Sequence, residues 1–508
     1  MGNRQPQPFG VIGEAVRRLS GGRSGGGGDT GARELGRRTV VMASGTVLSR
    51  LTGFGRVLAL GIAIGFNNVT DTYALANTTP NIVYELVLGG ILSATLVPVI
   101  VGALSSGSHA ADAAAAAGAA GAEAEGEAEA EAERGISALV SVTAAVLVAV
   151  SVALAVAAPL VIRLYTAGDT SPSVVAQRVV AARMLVLFAP QVALYGTITL
   201  ATALLQARRR FAAPMFTPVL NNLVVIGVLV AFPFVARSTS DLGVLRDDGT
   251  GIALLGLGTT TGVLIQALAL GVSARRAGVA LRWVWQPGHP LVRRIVRLSG
   301  WTLGFVAANQ VAAFVVILLA NRGAAGDLAA YQAGMIFFLL PHAVLSVSLM
   351  TALLPELSER WAVGDVAGFR SRLRFGLRLC LVVLVPAGAV YAVIARPLVA
   401  LVLQHGALTG ASAQLTADVL ALLALGLPGF SCFLLLSRAY NAMQDTRSLF
   451  FLYLLENGVN IGLAILLYPA LGVRGLAVSY SVAYTVAAIV ALAHLRRRTR
   501  SGPGQWAG

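Results

Sequence analysis

Arg50 and Arg56 stand inside a long apolar stretch that runs from Thr39 to Asn67. At about 100° per residue, Thr46, Ser49, Arg50, Gly53 and Arg56 fall within an arc of roughly 120° on a helix. A guanidinium deep in a bilayer is costly unless it faces protein or a water-filled space, so this polar stripe should face a cavity. Arginine's planar fork donates two parallel hydrogen bonds, a geometry that suits phosphate. The chemistry on offer is recognition of an anion. The competing assignment is structural, with each arginine paired to a buried carboxylate or to backbone carbonyls.

The next apolar segment holds two acids. Asp71 lies near its start, where it could cap a helix or join the binding site. Asn77, Thr78, Thr79, Pro80 and Asn81 interrupt the apolar run, which predicts a broken helix whose freed groups line a cavity. Glu85 follows as an intramembrane acid, a candidate partner for Arg50 or Arg56 or a candidate coupling group. Asn441 and Asp445 are four residues apart and could hold an ion from one helix face. Arg438 and Arg447 flank that pair, so the alternative is a boundary loop in which Asp445 caps the next helix.

Catalytic and metal signals are thin. The five histidines are scattered without ligand spacing, and Gly25 to Gly28 is followed by Asp29 and Thr30 without the lysine of a phosphate loop. No metal and no cofactor are expected, and no enzymatic activity. The small-residue run from Gly256 to Gly262 suits close helix packing.

The elements that must position these residues are transmembrane helices. The chain of 508 residues is 56% hydrophobic and only 12% charged. Its mean hydropathy is +0.77. A soluble chain would carry about twice that charged fraction. Apolar blocks recur at roughly 20 residues, the length of a spanning helix. Twelve spans are predicted: 40–66, 72–104, 136–162, 179–206, 213–236, 251–273, 295–320, 327–354, 375–400, 414–437, 448–468 and 472–495. The fold class is therefore all-α and polytopic, with two six-helix lobes around a central cavity.

The net charge of +15 is carried by arginine alone, since the chain has no lysine. The arginines cluster in alternate loops, at 208–210, 275–297, 360–378, 438–447 and 496–498. That is the pattern of membrane orientation, and it predicts both termini in the cytoplasm. It argues against nucleic acid as a partner. Cys380 and Cys432 both lie in apolar segments, so no disulfide framework is expected. The predicted organisation is a Gly/Arg-rich tail (1–38), an N-terminal lobe (39–273), a basic connector (274–297), a C-terminal lobe (298–495) and a second tail (496–508). Residues 105–135, with glutamates at alternate positions from Glu123 to Glu133, are expected as a solvated acidic loop.

The stretch from Ser49 to Arg56 (SRLTGFGR), with Thr70-Asp71 and Pro80-Asn81, resembles the start of the MurJ/MviN family. So do Gln206 to Leu223 (QARRRFAAPMFTPVLNNL), Pro341 to Ser358 (PHAVLSVSLMTALLPELS) and Ala439 to Ser448 (AYNAMQDTRS). That family consists of lipid II flippases of the multidrug/oligosaccharidyl-lipid/polysaccharide exporter superfamily. The resemblance covers roughly 38–495. It implies a V-shaped pair of lobes and alternating access in the cytoplasmic membrane, with an undecaprenyl-pyrophosphate-linked precursor as substrate. Arg50 and Arg56 match the family's cavity arginines, with Thr46, Ser49, Asp71 and Asn81 as further substrate-binding candidates. A sodium ion at Asn441 and Asp445, or the membrane potential, is the implied energy source. Membrane lipids and proteins of cell-wall synthesis or division are the implied partners. The sequence departs from the family where Val83 and Tyr84 replace a basic residue after Pro80-Asn81. It departs again at 333–340, which carries no charge, and in having twelve spans where many members have fourteen. A drug or metabolite–cation antiporter and a non-transporting scaffold of cell-wall synthesis are the alternative functions.

Overall fold

In a computed structural model of the protein, the described residues are 28–89, 119–167, 171–208, 210–278, 282–298 and 300–500. Every regular element among them is helical. This follows from the solvent, because a helix satisfies its backbone polar groups within one segment of chain.

The N-terminal half contains α1 (Gly28–Ala63), α2 (Asn68–Tyr84), α3 (Ala119–Tyr165), α4 (Pro172–Phe188), α5 (Gln191–Ala207), α6 (Ala212–Val235), the short α7 (Leu242–Arg246) and α8 (Gly249–Arg276). The amphipathic α9 (Pro290–Leu298) leads to the C-terminal half. That half contains α10 (Gly300–Asn321), α11 (Asp327–Ala362), α12 (Val366–Leu403), α13 (Gly410–Ala442), α14 (Thr446–Leu471) and α15 (Val473–Arg500). Among the described residues, 10 helical segments are long and apolar enough to cross a membrane. α2 and α11 occupy the two remaining positions of the predicted twelve.

Several predicted boundaries shift, each for a local reason. The expected span 179–206 is two helices that meet at Pro190, which has no N–H to continue the ladder. The expected span 295–320 begins only at Gly300. Before it, α9 places Arg293, Arg294 and Arg297 on one side and buries Val292 and Ile295 on the other. Residues 119–135, expected as loop, extend α3, because alternating Ala and Glu are good helix formers. Residues 28–38, assigned above to a tail, open α1. Residues 105–118 and 1–27 lie outside the described residues, as do 501–508.

The break expected at residues 77–81 is absent. α2 runs through Pro80 to Tyr84, and the hydroxyl of Thr79 donates to the Leu75 carbonyl at 2.8 Å. Beyond it the helix widens into a π turn, Glu85–Gly89. Proline removes a bond from the ladder and its ring crowds the preceding turn, so a wide turn nearby relieves the distortion. Asn67 caps α2, with its side chain accepting from Val69 and Thr70 while Thr70 reaches back to the Asn67 N–H.

In the N-terminal lobe α1 packs on α6, α6 on α8, α8 on α5, and α2 on α4. In the C-terminal lobe α13 is central, packed by α11, α12 and α15, with α14 on α15 and α10 on α14. Gly426 and Gly429 let α15 approach α13 closely, since an added Cβ would lie 2.4 Å from Ser481 and 2.3 Å from Thr485. Contacts between lobes run chiefly from α1, α2 and the π turn that follows it to α10, α11 and α12. The chain linking the lobes is tied to α3. Ser141 accepts from the Val284 N–H and donates to the Arg282 carbonyl, and Glu131 meets His289 at 3.2 Å.

Candidate functional site

A cavity of about 610 Å³ lies between the lobes. α1 supplies its cationic wall: Thr46, Ser49, Arg50, Gly53 and Arg56 all line it. This is the stripe read from helical periodicity, and the two arginines share the space because both project from one helix face. Arg50 is exposed to the cavity. Arg56 is half-buried and donates to the Tyr73 hydroxyl at 3.4 Å, which in turn meets Thr259 at 3.1 Å. Among the described residues no carboxylate pairs with either arginine, so the structural assignment has no partner there. Asn222 of α6 donates to Thr52 at 3.1 Å and to the Ser49 carbonyl at 3.3 Å, fixing α1 against its neighbour.

The facing wall comes from α11 and is apolar apart from Gln332. Ala329, Ala333, Ile336, Leu339 and Leu340 complete it. Gln332 donates across the lobes to Thr78 at 3.3 Å. Asn77 also lines the cavity, and its side-chain oxygen has no hydrogen-bond partner. The arrangement can therefore hold an anion against α1 while offering amide and hydroxyl groups from α2 and α11. Asn77 was read from sequence as a cavity-lining group, whereas Gln332 was not singled out. The signal was present: Gln332 is the one amide in the run 328–340.

The lobes meet at one end of this cavity. Asp71, buried, accepts from the Gly326 N–H at 2.7 Å and the Ala329 N–H at 2.9 Å. It thus caps a helix, as its position suggested, but the helix is α11 of the opposite lobe. The Ala407 N–H donates to the Ile62 carbonyl at 2.9 Å, and Gln177 donates to Asn321 at 2.8 Å. These contacts lie at the end opposite the arginine clusters. Midway, Phe54 and Phe337 meet edge to face at 4.8 Å.

Other sequence candidates fall outside the cavity. Asn81 is exposed and does not line it. Glu85 is half-buried in the π turn, and no ion pair joins it to Arg50 or Arg56. Asn441 and Asp445 differ in their surroundings. Asp445 caps α14 by accepting from the Ser448 N–H at 3.1 Å, and it pairs with Arg498. Asn441 is exposed at the end of α13.

A different buried acid lies in the C-terminal lobe. Glu456 of α14 is 1% exposed, and its Oε2 has no hydrogen-bond partner. Two amides, Asn457 and Asn460, follow it on the same helix. Asn457 donates to Asn309 of α10 at 2.6 Å, and Asn460 accepts from Ser479 of α15 at 3.0 Å. An acid at the middle of a predicted span was visible in the sequence.

The family profile described as "Lipid II flippase MurJ" matches residues 61–507. The chain belongs to the lipid II flippase MurJ family. It is 25% identical over 308 residues to a probable lipid II flippase MurJ of Rhizobium meliloti, covering 60% of this chain and 55% of that protein. For a probable lipid II flippase MurJ of Thermotoga maritima the figures are 27% over 278 residues, 55% and 52%. The chain thus spans about half the length of these two relatives. A lipid II flippase MurJ of Burkholderia cenocepacia is matched more fully, at 24% over 475 residues, 91% of this chain and 84% of that one. Among solved structures, one titled "Lipid II flippase MurJ, inward closed conformation" superposes with a TM-score of 0.69 at 19% identity, over 90% of this chain and 87% of that chain. An inward-facing multidrug resistance MATE family transporter of the MOP superfamily gives 0.62 at 14%, over 89% and 100%. These likenesses fix the fold of a multi-pass MurJ-family membrane protein. Arg50 and Arg56 precede the matched residues of the MurJ profile, so their placement rests on the cavity itself.

Proposed function

We propose that this protein is a flippase that carries lipid II, the diphosphate-linked precursor of peptidoglycan, across the cytoplasmic membrane. The observation that carries the reading is the pair of carboxylate-free arginines, Arg50 and Arg56, in a cavity between two lobes that touch at one end. The headgroup enters the cavity and its diphosphate meets the guanidinium forks, while the prenyl chain stays in lipid. Parting of the Asp71 contacts and closure of the arginine-rich end would turn the cavity to the other leaflet. No bond is made or broken.

The arginine bias supports cytoplasmic termini and a cavity facing the cytoplasm. Glu456, rather than Asn441 or Asp445, is the group placed to couple transport to a cation or a proton. It is a buried acid with an unpartnered oxygen in a lobe that must move. The antiporter alternative calls for an essential intramembrane carboxylate, with Glu85 as its candidate, and Glu85 does not line the cavity. The scaffold alternative leaves the cavity arginines without a role.

The test is depletion of the protein in cells followed by measurement of lipid II in each leaflet. Accumulation in the inner leaflet is expected. An unchanged distribution in depleted cells would refute the proposal.

A further inference from the structure

A second cavity, of about 400 Å³, lies between α12 and α15 at the arginine-rich end. Arg370 and Arg374, one turn apart on α12, and Arg496 of α15 stand around it. Its floor is apolar, with Leu373, Leu377 and Leu495 buried beneath the guanidinium groups. Neighbouring arginines are differently employed. Arg372, on another side of α12, meets Glu356 at 2.6 Å, and Arg360 meets the same carboxylate at 3.1 Å. Arg370, Arg374 and Arg496 have no carboxylate partner among the described residues.

The surface leading away from this cavity changes character in register. On α12, Arg374 and Arg378 are followed at helical spacing by Val382 and Val385, 71% and 51% exposed. On α15, Arg496 and Leu492 are followed by Ile489, 64% exposed. Three cations at two adjoining helix ends, above apolar stripes on both helices, match one occupant: a phosphodiester headgroup with its acyl chains lying along the helices. A surface used only for orientation would need the charges but not the cavity between two helices.

We propose that the α12–α15 cavity is a binding site for an anionic membrane phospholipid, with Arg370, Arg374 and Arg496 holding its phosphate. The site is separate from the central cavity and stands independently of the substrate carried there. Lipid in it would bridge α12, which touches α1 of the opposite lobe, and α15, which packs on the central α13.

The test is native mass spectrometry of the full chain in detergent, titrated with phosphatidylglycerol or phosphatidylcholine. The wild type should retain phosphatidylglycerol preferentially. Each arginine near such a phosphate contributes about fivefold in affinity, so R370A/R374A/R496A should lose on the order of 100-fold. The exposed single change Arg374→Gln should lose about fivefold and guards against misfolding of the triple variant. R293A/R294A/R297A on α9 removes equal charge elsewhere and should keep the preference. Arg50→Ala should keep it as well. The proposal is overturned if the α12–α15 variants bind like wild type, or if the α9 variant loses binding equally. Loss in Arg50→Ala would place the lipid in the central cavity instead. Displacement of phosphatidylglycerol by a few equivalents of inorganic phosphate would assign the pocket to a soluble anion and overturn it too.

Discussion

The carboxylate of Asp71 and the backbone N–H of Gly326 meet at 2.7 Å across 255 residues of chain and across the two lobes. Gly326 is the N-cap of α11, so the acid sits where the helix presents unpaired donors and the positive end of its dipole. The same carboxylate takes the Ala329 N–H, and one side chain thereby holds a helix of the other lobe in place.

Asp71→Asn keeps the shape but leaves one oxygen to accept, without charge. Hydrogen bonds to charged groups contribute about 1.5–3 kcal/mol each, so the balance between closed and parted ends should shift at least tenfold toward parted. Pairs of spin labels across this end, one on the 237–240 loop and one on the 322–325 loop, report the distance distribution. A distribution identical to wild type would show that Asp71 does not hold this end closed.

The closure is also backbone against backbone. Gly406 has φ +62°, and a Cβ there would lie 2.4 Å from the Ile62 carbonyl oxygen. Gly406→Ala should therefore part the lobes at this end, beyond the strain of left-handed backbone alone. Gly364→Ala supplies the control, since φ is +76° there and nothing lies within 4 Å of the added atom. Both variants should lose some thermal stability, but only Gly406→Ala should lengthen the label distance. Equal distances in the two variants would count against a close approach at Gly406.

Arg50→Ala and Arg56→Ala should each abolish complementation of a flippase-deficient strain at normal membrane abundance. Arg50→Lys should be impaired, because an ammonium cannot reproduce the two parallel bonds of the guanidinium. Arg56 also has Tyr73 to orient it, so Tyr73→Phe should weaken complementation less than Arg56→Ala. Normal growth of both alanine variants, confirmed by immunoblot, would remove diphosphate recognition from α1.

Much of this was legible in the sequence, because a bilayer leaves few choices. Apolar length picked out the 10 helical segments able to cross a membrane among the described residues, and helical periodicity placed Thr46, Ser49, Arg50 and Arg56 on one wall. What remained hidden depends on which helix lies opposite. The acid at 71 reads as a local cap until α11 is seen docking on it. Asp445 and Asn441 have ion-site spacing, yet the turn between α13 and α14 uses Asp445 as a cap and leaves Asn441 exposed. Pro80 reads as a break, but a π turn five residues on absorbs its distortion. Gln332 gains meaning only from Thr78 across the cavity.

Glu456 is the buried acid for which the hydrogen-bond network of the C-terminal lobe gives the least account. Asn457 donates to Asn309 and Ser479 donates to Asn460, while Oε2 of Glu456 has no partner. A carboxyl left in that state is poised to take up a proton or a cation, and either would alter the packing of α14 against α10 and α15. Glu456→Gln preserves volume and polarity but cannot take up a proton, and it offers a cation only a neutral amide oxygen. We expect the variant to fold and to bind substrate, with transport in proteoliposomes no longer accelerated by an imposed ion gradient. Basal, gradient-free transport should stay within about threefold of wild type, because the central cavity is untouched. Acceleration equal to wild type under a proton gradient and under a sodium gradient would exclude Glu456 from coupling.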